Sequence, residues 1–135
     1  MFKAGLDVTI DADIQAVWEA VTGCEGSAWQ SGVDKIETAD DGHRMAYAVN
    51  GTVTHIYIIE KRPDCLYEYK MKNRRFSGLW TGRFYALSDG STLLRIFEEI
   101  HVRHIWDRIL FMLTGAAGRR QRRYARELKA YLEKT

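Results

Sequence analysis

Two periodicities succeed one another along this chain, and their order leaves few folds open. Short segments that alternate every second residue fill the first two thirds. One pattern with a period near 3.6 then runs from about His104 to Glu133. Strands joined by tight turns have room to pair only antiparallel with their neighbours, and a long amphipathic helix must lay its apolar stripe on the resulting sheet. A curved sheet closed by such a helix encloses space.

The opening segment, Phe2 to Ile10, sets Leu6, Val8 and Ile10 on one face and Asp7 and Thr9 on the other, which is a half-buried strand. Asp11 or Asp13 can then cap a helix, because a short carboxylate accepts the free N–H groups of the first turn. That helix carries Ile14, Val17, Trp18 and Val21 on one stripe and ends at Thr22-Gly23. A second short helical piece, around Glu25 to Gln30, brings Trp29 towards the stripe. Strands are then expected over Val33–Thr38, His43–Val49, Thr52–Lys61, Leu66–Lys72, Gly78–Leu87 and Thr92–Val102. Between them lie turn formers, among them Asn50-Gly51, suited to the positive φ of a tight hairpin. With the first, this makes seven strands.

The final helical pattern places Trp106, Ile109, Leu110, Leu113, Ala117, Gln121, Tyr124, Leu128, Tyr131 and Leu132 at steps of three and four. Two irregularities interrupt it. Ile109 to Leu113 is apolar all round, and Thr114-Gly115-Ala116-Ala117-Gly118 puts glycine in mid-helix, where each costs about 1 kcal/mol relative to alanine. Such a sequence predicts a kink, a 3₁₀ break or a close approach of the sheet.

The length of 135 residues suits one domain spanning 1–135. The 46% of hydrophobic residues supports a core, and 28% charged is ordinary for a globular chain rather than a disordered one. The run Ile109–Leu113 is far shorter than the ~20 residues of a spanning helix, and the N-terminus lacks the basic head and apolar run of a secretory signal. A soluble, cytoplasmic protein is therefore expected. Cys24 and Cys65 show no Cys-x-x-Cys spacing and read as ordinary buried or half-buried thiols. The four histidines show no i, i+4 pair or HExxH pattern, so no metal site and no cofactor is expected. The formal charge of +2 is unevenly spread: from Arg103 onward nine basic residues face three acidic ones, against eleven and fifteen before it.

The stretch Val8-Thr-Ile-Asp-Ala-Asp-Ile-Gln-Ala-Val-Trp18 resembles the first strand and helix of the START-like (SRPBCC, helix-grip) superfamily, in its bacterial polyketide cyclase/dehydrase-like branch. Glu60-Lys-Arg-Pro-Asp-Cys-Leu-Tyr67 is similar to that family's proline-bearing turn. Gly82-Arg-Phe-Tyr-Ala-Leu-Ser-Asp-Gly-Ser-Thr92 looks like its last hairpin, and Arg126-Glu-Leu-Lys-Ala-Tyr-Leu132 like its helix end. Asp13 stands where the family commonly has proline, and Gly23-Cys24-Glu25 where it has an aspartate after the first helix. The resemblance covers nearly the whole chain and rests on structural motifs. It implies an α+β helix-grip fold: a seven-stranded antiparallel sheet curved around a long C-terminal helix, with two short helices after the first strand. It also implies an internal cavity for a lipid, isoprenoid, polyketide or other hydrophobic ligand.

Strand parity then nominates the wall of such a cavity. On the last strand Leu94, Ile96, Glu98, Ile100 and Val102 share a face, so Glu98 is a carboxylate on an otherwise apolar surface. It could orient a ligand hydroxyl or act as an acid or base with a raised pKa. Trp80 and Phe84 follow on the neighbouring strand, and Tyr67, Tyr69 and Met71 on the one before. Trp29 and, from the helix, Ile109, Leu113 and Ala117 complete the expected lining. Over Thr52–Lys61 parity is ambiguous: either Val53, His55, Tyr57 and Ile59 point in, or Thr54, Ile56 and Ile58 do. His55 is thus a second candidate base.

Three functions remain open: a binder or transporter of a small hydrophobic ligand, a cyclase/dehydrase-like enzyme using Glu98 or His55, and a surface module built on the basic helix. For the last, Arg119, Arg120, Arg122 and Arg123 would meet an anionic membrane, whereas nucleic acid is not expected. Arg120 or Gln121 could instead turn inward as polar groups of the cavity. The oligomeric state is not legible.

Overall fold

A computed structural model describes residues 1–23 and 29–133. The expected piece over Glu25–Gln30 lies outside the described residues except for Trp29 and Gln30, as does Cys24. The described elements run β1 (Phe2–Ile10), α1 (Ile14–Thr22), β2 (Val33–Thr38), β3 (Arg44–Ala48), β4 (Val53–Arg62), β5 (Leu66–Lys72), β6 (Phe76–Ala86), β7 (Thr92–Val102), α2 (Ile105–Thr114) and α3 (Ala116–Leu132).

The seven strands form one antiparallel sheet in the order β1-β7-β6-β5-β4-β3-β2. Six strands are a meander of neighbours, as their short connections require, and β1 closes the far edge against β7 with Ala4 opposite Glu98. The register shifts between Val33 and Lys35 and between Ile58 and Glu60, the kind of irregularity that bends a strand and raises its twist. At the β3–β4 turn, Gly51 takes φ 90°, as Asn-Gly predicts.

Asp13 caps α1 by accepting a hydrogen bond from Ala16 N at 2.8 Å. The helix buries Val17 and Trp18, with the Trp18 ring edge-on to Phe84 at 5.0 Å. This plug fills one end of the concave face, where Ile10, Leu94 and Ile96 are also fully buried.

The C-terminal helical pattern divides into two helices within Thr114–Gly118, where its glycines predict an irregularity. Gly115 sits at φ 63°, ψ 34°, a left-handed conformation that only a residue without Cβ adopts cheaply, and its N–H satisfies the last carbonyls of α2. While α2 touches the sheet through Phe111, whose ring meets Phe2 of β1 at 4.9 Å, the main grip is that of α3. Its Leu128 is fully buried, an apolar burial worth roughly 1.5–3 kcal/mol. Its Lys129 Nζ donates to Thr9 O at 2.8 Å, and Glu133 accepts from Asp11 N at 2.9 Å. By contrast α2 buries none of its residues, so the stripe predicted through Trp106, Ile109, Leu110 and Leu113 faces largely outward. Cys65 is likewise exposed rather than buried, because it occupies the β4–β5 turn.

Candidate functional site

Between the part of the concave face that α1 leaves uncovered and the two C-terminal helices lies a cavity of about 550 Å³. That volume falls within the roughly 300–1,000 Å³ of small-molecule sites. Its floor is Thr54 and Ile56 of β4, Tyr69 and Met71 of β5, Phe76 and Trp80 of β6, and Glu98 and Val102 of β7. The roof is Leu110 and Phe111 of α2 with Ala116, Arg120 and Tyr124 of α3. Exposed Val49, Asn50, Leu110 and Thr114 edge its mouth.

The wall is ordered by aromatic contacts. Tyr69 and Trp80 stack at 5.3 Å with an interplanar angle of 11°, and Tyr124 tilts against Trp80 at 5.8 Å. Gly82 makes this arrangement fit: a Cβ there would meet the Trp80 ring at 2.7 Å, because the indole leans along β6 over the glycine. Burial raises the pKa of the Tyr69 hydroxyl, and the same cause raises that of Tyr124, so both phenols stay neutral donors.

Glu98 is buried, 6% exposed, on this apolar floor. Burial pushes its carboxyl above the ordinary value of 4.5, against the opposing pull of the Arg120 guanidinium and a hydrogen bond from the Gln121 side chain. Gln121 is itself buried, and its Nε2 also donates to Ala4 O at 3.0 Å. Arg120 lies with its guanidinium 5.0 Å from the Phe76 ring centroid. Both residues of α3 that could have turned inward do so.

Of the residues nominated from sequence, Tyr69, Met71, Trp80 and Glu98 line this cavity. Tyr67, Phe84, Leu94 and Ile96 share their face but lie in the packed core, since Trp18 of α1 occupies the space above Tyr67 and Phe84. Trp29 is buried edge-on to Tyr124 at 4.9 Å and donates to Ala20 O; it supports the cavity from behind. Ala117 packs on the core rather than the cavity. Ile109 and Leu113 are corrected: they are 39% and 75% exposed and do not line it, because the turn at Gly115 swings that face of α2 outward.

His55 is corrected too. Ile56 pairs with Met71 and Ile58 with Tyr69, so Thr54 and Ile56 point inward and His55 points to the opposite face. There His55 meets His43 Nε2 at 3.1 Å, and His43 stacks on Tyr57 and bonds Asp41. Among the described residues no cluster of His, Cys, Asp and Glu could hold a metal ion. Thr54 and Ile56 belong to one of the two alternatives that parity leaves open on β4, whereas Phe76, Phe111 and Tyr124 are not assigned to the site from sequence; for Tyr124 the signal was present, since it lies on the same helical stripe as Ala117 and Gln121.

The fold is START-like. The aromatase/cyclase Zhui from Streptomyces sp. R1128 superposes with a TM-score of 0.82 at 15% identity, covering 98% of this chain and 93% of that one. A START superfamily protein from Mycobacterium smegmatis gives 0.78 at 14% identity, with 97% of each chain covered. A conserved protein from Geobacillus kaustophilus gives 0.82 at 12%, over 97% and 95%. No family model and no curated protein matches the sequence. No helix among the described residues is long and apolar enough to cross a membrane.

Proposed function

We propose that this protein binds, and by release transports, a small hydrophobic molecule such as a lipid, isoprenoid or polyketide in the space between its sheet and its C-terminal helices. The observation that carries this reading is the 550 Å³ cavity walled by the stacked Tyr69–Trp80 pair, with Glu98 as a polar group on its floor. An apolar body would cover Met71, Trp80 and Tyr124, and Glu98 would fix its orientation. The test is solvent extraction and mass spectrometry of the purified protein, followed by titration of lipids, quinones and polyketides against tryptophan fluorescence. Saturable quenching by one class supports the proposal; no extracted species and no quenching contradicts it.

An enzyme of the cyclase/dehydrase kind is the second reading, and one observation favours it: the raised pKa of Glu98 in an apolar site suits an acid or base. His55 has no part in it. If turnover exists, Glu98→Gln should abolish it and leave affinity largely intact.

The same chain could collect its ligand at an anionic membrane. Ile105, Trp106, Met112 and Leu113 are 63–78% exposed on α2 beside the mouth, with Arg108, Arg119 and Arg122 exposed nearby. Sedimentation with phosphatidylserine vesicles should fall when Trp106 and Leu113 become serine. Equal sedimentation removes this reading. Action at such a surface from the cytoplasm is part of the proposal.

A further inference from the structure

Arg120 is half-buried, whereas Arg119, Arg122, Arg123 and Arg126 of the same helix are exposed. Its Nη1 is buried and has no hydrogen-bond partner among the described residues, and no carboxylate among them forms an ion pair with it. Of the carboxylates that also line the cavity, Asp107 and Glu127 are otherwise engaged, and Glu98, although it attracts Arg120, is held toward its neutral form by burial. Asp107 pairs with Arg75 at 3.7 Å, Glu127 accepts from Ser31 N at 3.2 Å, and Glu98 takes the Gln121 amide. A guanidinium over the Phe76 face whose Nη1 is withdrawn from water and unanswered is an unfavourable arrangement that a bound anion would complete.

We infer that the ligand of this cavity carries a carboxylate on an apolar body, and that Arg120 Nη1 is the group that binds it. The inference rests on the binding function proposed above and specifies its head group. A neutral carbonyl would satisfy the N–H but add no negative charge, and Glu98, held toward its neutral form by burial, supplies little of it. A dianionic phosphate would set two negative charges beside buried Glu98, and of the other cations on the cavity wall Arg75 is paired with Asp107 and Arg123 is exposed. One carboxylate matches one guanidinium, and Tyr69, Trp80 and Tyr124 remain to cover the hydrocarbon or aryl remainder. Arg119 and Arg122, exposed on the same helix, do not line the cavity.

The test is calorimetric titration of matched probes into the full chain: decanoate, 1-decanol and methyl decanoate for a chain-like body; 2-naphthoate, 2-naphthol and methyl 2-naphthoate for a flat one. Wild type should bind the acid of at least one series tenfold or more tighter than its alcohol and ester. Which series wins distinguishes a fatty from an aryl acid. Arg120→Met keeps the apolar stem and should lower acid affinity to that of the neutral probes while leaving theirs unchanged. Arg120→Lys, which restores a charge, should recover part of the preference. Equal affinity for acid, alcohol and ester in wild type would overturn the head-group assignment and leave the binding function standing. So would an Arg120→Met variant that weakens all probes alike. If none of the six probes binds, both fall together.

Discussion

Gln121 of α3 donates its side-chain amide to the main-chain oxygen of Ala4 at 3.0 Å, and it also bonds Glu98, the residue that pairs with Ala4 across β1 and β7. One buried amide thus joins the last helix, the first strand and the polar group of the cavity.

Gln121→Leu should therefore destabilise the protein although it makes the interior more apolar. The substitution leaves the Ala4 carbonyl and Glu98 without their donor, a loss of about 1–3 kcal/mol. Urea unfolding reads it as a lower midpoint at unchanged slope. A midpoint equal to wild type would show that the amide holds nothing together.

Glu98 sets a pH dependence whose sign follows from its raised pKa. A carboxyl that is harder to ionise in the folded chain than in the unfolded one favours folding fully at pH below the unfolded value near 4.5. That contribution is lost as pH rises through the folded value. Glu98→Gln keeps a neutral acceptor for Gln121, so it should raise the melting temperature at pH 7 and leave it little changed below pH 4.5. A variant less stable than wild type at pH 7 would mean that attraction to Arg120 outweighs burial.

Gly82 and Gly115 separate steric from conformational demand. A Cβ at Gly82 would meet the Trp80 ring at 2.7 Å, so Gly82→Ala should cost about 1–3 kcal/mol and alter the near-ultraviolet dichroism of Trp80. Unchanged dichroism would place the indole elsewhere.

Gly115 has nothing within 4 Å of such a Cβ, yet its φ of +63° is left-handed. Gly115→Ala should cost about 1–2 kcal/mol from the backbone alone and leave the Trp80 signal intact. A variant as stable as wild type would argue that α2 and α3 join as one continuous helix.

Alternation in β1 and β7, the Asp13 cap and the Asn50-Gly51 turn were readable because each is set by neighbours in sequence. Parity on β4 was not, since Val53 to Ile59 is apolar enough on both faces; it took pairing with Met71 and Tyr69 to turn Ile56 in and His55 out. Sharing a face was also not enough to share the cavity: Tyr67 and Phe84 alternate correctly, but Trp18 of α1 covers them, and a long-range packing choice of that kind leaves no local pattern. The helix break was visible in Thr114 to Gly118, whereas its consequence was not. A left-handed residue redirects the whole face of α2, so Ile109 and Leu113 leave the site, while Arg120 takes the inward position that was one of its two readings.

The methionine methyl groups offer the most direct measurement of whether the space under the helices is a binding site. The four methionines are Met1, Met45, Met71 and Met112. Met71 lines the cavity, whereas Met1 and Met112 are exposed. In methyl-labelled protein titrated with 2-naphthol, 2-naphthoate and decanoate, the Met71 resonance should shift saturably with at least one probe while Met1 and Met112 stay in place. Shifts confined to Met112, or a Met71 signal that never moves, would contradict the proposed binding function.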